Sequence, residues 1–173
     1  MKNILLTGLP GVGKTTLIKK LAAQLKSSGA AGFFTEEIRE GLFRKGFKVE
    51  TLNGKTGVLA HVDIESPYRV GKYKVNLEEF EKVGVDTLER SLLEKKRLIV
   101  IDEIGKMELF SSRFQDQVLQ ALNSQAVVVA TIGKIANPLI DSIKQRGDVK
   151  LIEININNRD KLAEEIVKML AKI

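Results

Sequence analysis

Gly8-Leu9-Pro10-Gly11-Val12-Gly13-Lys14-Thr15 fits the pattern G-x-x-x-x-G-K-[ST] in full. It stands between a short apolar run, Ile4 to Leu6, and a segment where Leu17, Leu21, Ala22 and Leu25 recur at helical spacing up to Gly29. The chain must therefore run strand, tight loop, helix. The glycines let successive backbone N–H groups face one point, and the helix N-terminus adds partial positive charge, so the loop makes a cradle for phosphate oxygens. Lys14 is placed to reach the β- and γ-phosphates, and the Thr15 hydroxyl to ligate Mg²⁺. A glycine-rich turn with a capping threonine is the plainer alternative, but it requires neither the lysine nor the spacing.

A second element carries acids. Leu98-Ile99-Val100-Ile101 is an apolar run that ends in Asp102-Glu103. In an open parallel sheet ligands collect beyond the carboxyl ends of the strands, where the first strand also delivers its glycine-rich loop. The two sequences are expected to meet there, with Asp102 holding Mg²⁺ directly or through water and Glu103 orienting and partly deprotonating an attacking water.

The rest of the chain alternates in the same manner. Ala126 to Thr131 and Lys150 to Ile156 read as further parallel strands, and helical spacing marks Leu77 to Glu94, with Asn76 and Glu79 spaced as a reciprocal cap. Other helices follow Ser111-Ser112 and Asn157-Asn158. Residues 32–75 break the alternation with glycine-punctuated short strands, Gly32 to Arg39, Lys45 to Leu52 and Gly57 to Val62. The expectation is an α/β protein of one domain, residues 1–173, with a mainly parallel central sheet, helices on both faces and an antiparallel insertion at about 32–75.

Composition narrows the chemistry. With no Cys there is no disulfide framework or thiolate metal site, and one histidine, His61, leaves no His-dependent triad. The apolar runs are too short to cross a bilayer or to serve as a signal peptide, which leads us to expect a cytoplasmic protein without a membrane partner. The net charge of +6 is concentrated at the start: residues 1–35 hold Lys2, Lys14, Lys19, Lys20 and Lys26 and no acid. A small polyanion explains that surplus better than a nucleic acid, because aromatics, at 5%, do not interleave with basic clusters.

The octapeptide Asp102-Glu103-Ile104-Gly105-Lys106-Met107-Glu108-Leu109, with Gly8 to Thr15 and Gly32-Phe33-Phe34-Thr35-Glu36-Glu37-Ile38-Arg39, resembles the thermostable and cancer-related nucleoside-triphosphatases, a P-loop NTPase family. The likeness extends through Arg44 to Phe47, Arg69 to Val75 and Asn158-Arg159. The resemblance implies a RecA-like variant of the P-loop fold and slow Mg²⁺-dependent hydrolysis of several nucleoside triphosphates (ATP, GTP, CTP, UTP, TTP), with diphosphates poorer substrates. Lys and Glu abundance is compatible with a thermophilic source.

The expected nucleotide-binding set is Gly8, Leu9, Pro10, Gly11, Val12, Gly13, Lys14, Thr15, Thr16, Asp102, Glu103, Gly105 and Lys106, with Thr15 and Asp102 as metal ligands. Lys14, Glu103, Lys106 and Arg146 are the expected catalytic residues, Arg146 ranking ahead of Arg39 and Arg44 as a transition-state arginine. Lys106 has an equal alternative as a surface partner of Glu108, and Arg159 is a candidate for stacking on a base. No N-K-x-D run is present to read guanine, so weak base selectivity is expected. A small-molecule or nucleoside kinase and a nucleotide-dependent switch with a protein or RNA partner are the alternatives. The protein is expected to be a monomer.

Overall fold

The structure is a computed structural model, and it describes residues 1–25 and 29–171. Lys26 and the end of the first predicted helix, residues 26–28, lie outside the described residues. The elements are β1 (Asn3–Thr7), α1 (Lys14–Leu25), β2 (Ala31–Glu40), β3 (Phe43–Thr51), β4 (Thr56–His61), β5 (Arg69–Val70), β6 (Tyr73–Val75), α2 (Leu77–Phe80), α3 (Asp86–Leu93), β7 (Leu98–Ile104), α4 (Ser112–Asn123), β8 (Val127–Ile132), α5 (Pro138–Lys144), β9 (Val149–Glu153) and α6 (Arg159–Leu170). A π-helical stretch, Glu81–Val85, joins α2 to α3, so the predicted helix from Leu77 is continuous but locally widened.

One sheet carries all nine strands in the order β5-β6-β4-β3-β2-β7-β8-β1-β9. From β2 to β9 every pairing is parallel; from β2 outward through β3, β4, β6 and β5 every pairing is antiparallel. The insertion therefore extends the sheet from one edge of its parallel part. Its last hairpin, β5–β6, was not foreseen, because strands of two and three residues show no measurable alternation.

Alternation within the strands divides the core in two. Ile4 and Leu6 of β1, with Val100 and Val129, pack on Leu17, Ile18 and Leu21 of α1 and Leu162 and Ile166 of α6. Leu5, Ile99 and Ile101 face the other way, onto Phe80, Leu88, Phe114, Val118 and Ile140. A phenylalanine trio holds this second layer, Phe80 meeting Phe33 at 5.7 Å and Phe114 at 5.3 Å edge to face, with Phe33 and Phe114 tilted at 6.2 Å. β9 is an edge strand with Lys150 and Leu151 exposed, not the doubly covered strand its composition suggests.

Two of the expected helix starts are capped by side chains, whereas Asn158 before α6 makes no side-chain cap hydrogen bond. Asn76 Oδ1 accepts from the Glu79 N–H at 3.1 Å while its amide donates to Glu79 Oε2 at 3.0 Å, and Ser111 accepts from the Phe114 N–H at 3.0 Å. Among the described residues, no helix is long and apolar enough to cross a membrane.

Candidate functional site

β1 ends at Thr7, and the glycine-rich loop lifts off the carboxyl edge of the sheet before α1 begins at Lys14. Gly11 and Gly13 take φ of +77° and +107°, a region that side chains rarely enter. Gly8 is required for space: a Cβ there would come within 2.8 Å of the Ile154 carbonyl oxygen and 3.1 Å of Val12. The Lys14 ammonium folds back over the loop, donating to the carbonyls of Gly8 at 2.9 Å and Leu9 at 3.2 Å. Thr16 lies in the first turn of α1 and lines the cavity above it.

β7 is separated from β1 by β8, yet its acids reach the loop. Thr15 Oγ1 donates to Asp102 Oδ2 at 2.9 Å. The same carboxylate accepts from Thr131 Oγ1 at 2.5 Å and, more weakly, from the N–H and hydroxyl of Thr35 at 3.4 Å. Asp102 is fully buried, so one carboxylate ties α1, β2 and β8 to the end of β7. Burial pushes its carboxyl up, against the hydrogen bonds from Thr131, Thr15 and Thr35 that favour the ionised form. For Glu103, burial again raises the carboxyl and the Asp102 charge adds to it, while Lys14 opposes.

The Thr15 hydroxyl and Asp102 carboxylate are adjacent hard oxygen donors. Among the described residues no group of three or more His, Cys, Asp or Glu is gathered to cage a metal. That donor set fits Mg²⁺, which keeps most of its waters and takes one or two protein oxygens beside substrate phosphates.

Of the two equal readings of Lys106, the surface pair with Glu108 does not form. Glu108 is buried, and among the described residues no ion pair joins it to Lys106, which is exposed. Burial pushes the Glu108 carboxyl well above the usual glutamate range, and the Glu103 charge pushes it further, outweighing the N–H groups of Glu108 and Gly105. Both acids crowd Gly105: a Cβ there would lie 2.6 Å from Glu103 Oε1 and 3.1 Å from Glu108 Oε2. The place of Gly105 in the site is thus to leave room for two carboxyl groups.

Two cavities open at this edge. One, of about 460 Å³, lies over the loop between Lys14, Thr15, Glu103 and the residues Glu37, Arg44 and Phe47 of β2 and β3. The other, of about 470 Å³, lies behind Glu103 and is walled by Phe47, Leu59, Val70, Met107 and Ile135, with Lys106 at its rim. Arg159 comes to the opposite side of the loop, its guanidinium 3.5 Å from the Val12 carbonyl oxygen.

Arg146 is not brought to this site. It precedes β9, whose first residue pairs with Asn3 at the amino end of β1, so it lies at the far edge of the sheet. There it is fixed by Asp148, at 2.8 and 2.9 Å, and by Asn123 at 2.9 Å. The early lysines are also dispersed. Lys2 donates to the Leu122 carbonyl at that far edge and Lys19 pairs with Glu36, which leaves Lys14 as the loop's own cation.

Comparison with known proteins points the same way as the geometry. A family model described as NTPase matches residues 3–167. The nucleoside-triphosphatase THEP1 of Thermotoga maritima is 53% identical over 168 residues, covering 97% of this chain and 95% of that protein. The cancer-related nucleoside-triphosphatase of Homo sapiens is 42% identical over 182 residues, covering 96% and 95%. Among solved structures, the crystal structure of THEP1 from the hyperthermophile Aquifex aeolicus superposes with a TM-score of 0.89 at 42% identity, covering 97% of this chain and 98% of the other. The solution structure of the human protein gives a TM-score of 0.83 at 40% identity, covering 98% and 97%.

Proposed function

The chain belongs to the NTPase family, and from that membership we propose that it hydrolyses nucleoside triphosphates to diphosphate and inorganic phosphate, dependent on Mg²⁺ and with Glu103 activating the water. One observation carries the reading. Thr15, from the phosphate-binding loop, touches Asp102 at 2.9 Å, which puts Glu103 beside the loop's cavity together with Lys14.

In this reading the N–H groups at the start of α1 grip the phosphates, and the Lys14 ammonium leaves the loop carbonyls for the terminal phosphate. Thr15 and Asp102 would hold Mg²⁺, directly or through water, and the bound ion supplies positive charge to the phosphate oxygens. Glu103 accepts a hydrogen bond from a water in line with the terminal phosphorus and takes its proton as the new O–P bond forms. The bond from the terminal phosphorus to the bridging oxygen breaks, and the diphosphate leaves. The raised carboxyl of Glu103 suits a base that must hold a proton briefly at neutral pH.

A kinase is the second reading, favoured by the apolar-walled cavity behind Glu103, which is far larger than a water needs. One experiment separates the two. Wild-type protein with MgATP and no added acceptor should release phosphate steadily, and Glu103→Gln should lose at least about a hundredfold in kcat. MgATP at a hundred times Kd should stabilise both proteins against unfolding by roughly 2.7 kcal/mol and so raise the Tm of each. Phosphate transfer only in the presence of an acceptor would reverse the assignment in favour of the kinase.

A further inference from the structure

Phosphoryl transfer spreads negative charge over the three equatorial oxygens of the moving group, and a cation placed against them stabilises the transition state more than the ground state. The loop supplies Lys14. The cavity facing the loop is otherwise lined by the carboxylates Glu36, Glu37 and Glu103, an unfavourable setting for a triphosphate unless cations offset them. Glu36 is offset by Lys19 and by Lys48, the latter at 2.7 Å, and Glu37 by Arg39 at 2.5 Å and Arg44 at 2.9 Å.

Of these cations Arg44 is distinct in three ways. It is the one arginine lining the cavity among the described residues. Its guanidinium is oriented by a surface that does not depend on Glu37: Nε donates to Tyr73 Oη at 2.7 Å, and the group lies over the rings of Phe47 and Tyr73 at 5.1 and 5.4 Å. Nη1 bonds Glu37, while Nη2 has no hydrogen-bond partner among the described residues. Glu37 is doubly bridged, so it keeps Arg39 if Arg44 turns to another anion.

We propose that Arg44 is the arginine that contacts the terminal phosphate in the transition state, with Tyr73 and the Phe47 ring as the residues that position it. The inference rests on the hydrolase reading and deepens it: the β2–β3 hairpin then supplies the active site's second cation. Arg44 pivots on its Nε bond to Tyr73, exchanging Glu37 for phosphate oxygens, and no bond beyond hydrogen bonds forms or breaks at the arginine.

The test is steady-state MgATP hydrolysis by wild type, Arg44→Ala, Arg44→Lys, Tyr73→Phe and Lys45→Ala, with ADP affinity measured for each. Arg44→Ala should lose about a hundred- to a thousandfold in kcat, with KM and ADP affinity within about threefold of wild type. Arg44→Lys should recover only part, because the ammonium lacks the planar fork. Added guanidinium at sub-denaturing concentration should restore some turnover to Arg44→Ala, and sodium chloride at equal ionic strength should not. Tyr73→Phe should lower kcat roughly tenfold and cost nothing more when combined with Arg44→Ala. Lys45→Ala, on the same hairpin but paired with Glu40 at 3.5 Å and outside the cavity lining, should stay within about threefold of wild type.

Turnover within threefold of wild type in Arg44→Ala overturns the proposal. So does a loss confined to KM, or an equal and unrescued loss in Arg44→Ala and Lys45→Ala, which would mark damage to the hairpin. Phosphate release by wild type that disappears in Glu103→Gln keeps the hydrolase reading standing whichever way Arg44 falls.

Discussion

Glu108 illustrates how little a residue's charge says about its place. In sequence it looks like a solvated acid two positions from a lysine; in the fold it is buried against Glu103, where its carboxyl is pushed well above the usual glutamate range. A carboxyl that keeps its proton in the folded state and loses it in the unfolded state favours folding below the ordinary value of 4.5. That advantage is lost as pH rises from there through the raised folded value, at up to about 1.4 kcal/mol per pH unit. Glu108→Gln, which cannot ionise, should therefore show a shallower fall in urea-unfolding free energy between pH 5 and 8 than wild type does. Equal slopes in the two proteins would mean that Glu108 ionises alike in both states. Asp102 is the counter-case: burial raises its carboxyl too, but three threonines answer it with hydrogen bonds, so a buried acid can be held ready for a cation.

At the scale of elements, legibility followed local signal. The strand-loop-helix at Gly8 to Thr15, the acid-tipped strand and the capped helix at Asn76 were readable because each has a spacing or cap chemistry that works within one turn or strand. The π-helical turn at Glu81–Val85 and the helix Pro138–Lys144 were not readable from periodicity, the second because seven residues span barely two turns. Asn137, which caps that helix from just before a proline at its first position, was the available signal. For Arg146 the signal was available: it stands before a strand that reads as parallel, and the loop before such a strand lies at the amino edge of the sheet, opposite the glycine-rich loop.

The join between β2 and β7 makes an element-scale prediction. Gly32 sits opposite Val100 at φ +125°, and a Cβ there would overlap the Val100 carbonyl, a backbone group in a central strand that cannot move aside. Gly54 also has positive φ, +89°, but nothing lies within 4 Å of its missing side chain. Gly54→Ala should cost only about 1 kcal/mol of backbone strain. Gly32→Ala should cost at least about 3 kcal/mol in denaturant unfolding and draw Thr35 away from Asp102, lowering turnover as well. Similar costs at the two positions would show that φ alone, and not the close approach of β2 to β7, makes Gly32 necessary.

On the scale of the whole molecule, the proposed hydrolase reading has the sheet directing the phosphates and leaving the base loosely held. In the proposed reaction the phosphates would be met by the loop after β1, the start of α1 and the end of β7, all fixed by a core that covers both faces. Arg159 lies against the Val12 carbonyl of the loop and Ile156, three residues before it, is exposed; the proposed reading puts the base on this side. A guanidinium plane and an apolar side chain offer stacking and contact, which every base can accept, and not a fixed pattern of donors and acceptors. Discrimination by hydrogen bonding to a base edge arises when buried polar groups would be left unpaired by the wrong one, and an exposed surface imposes no such penalty. ATP, GTP, CTP and UTP should therefore be hydrolysed with kcat/KM values within about tenfold of one another, and Arg159→Ala should raise KM for all four by a similar factor with little change in kcat. A hundredfold preference for one base in the wild type, or a KM effect of Arg159→Ala on a single nucleotide, would require a base-reading group that this arrangement does not contain.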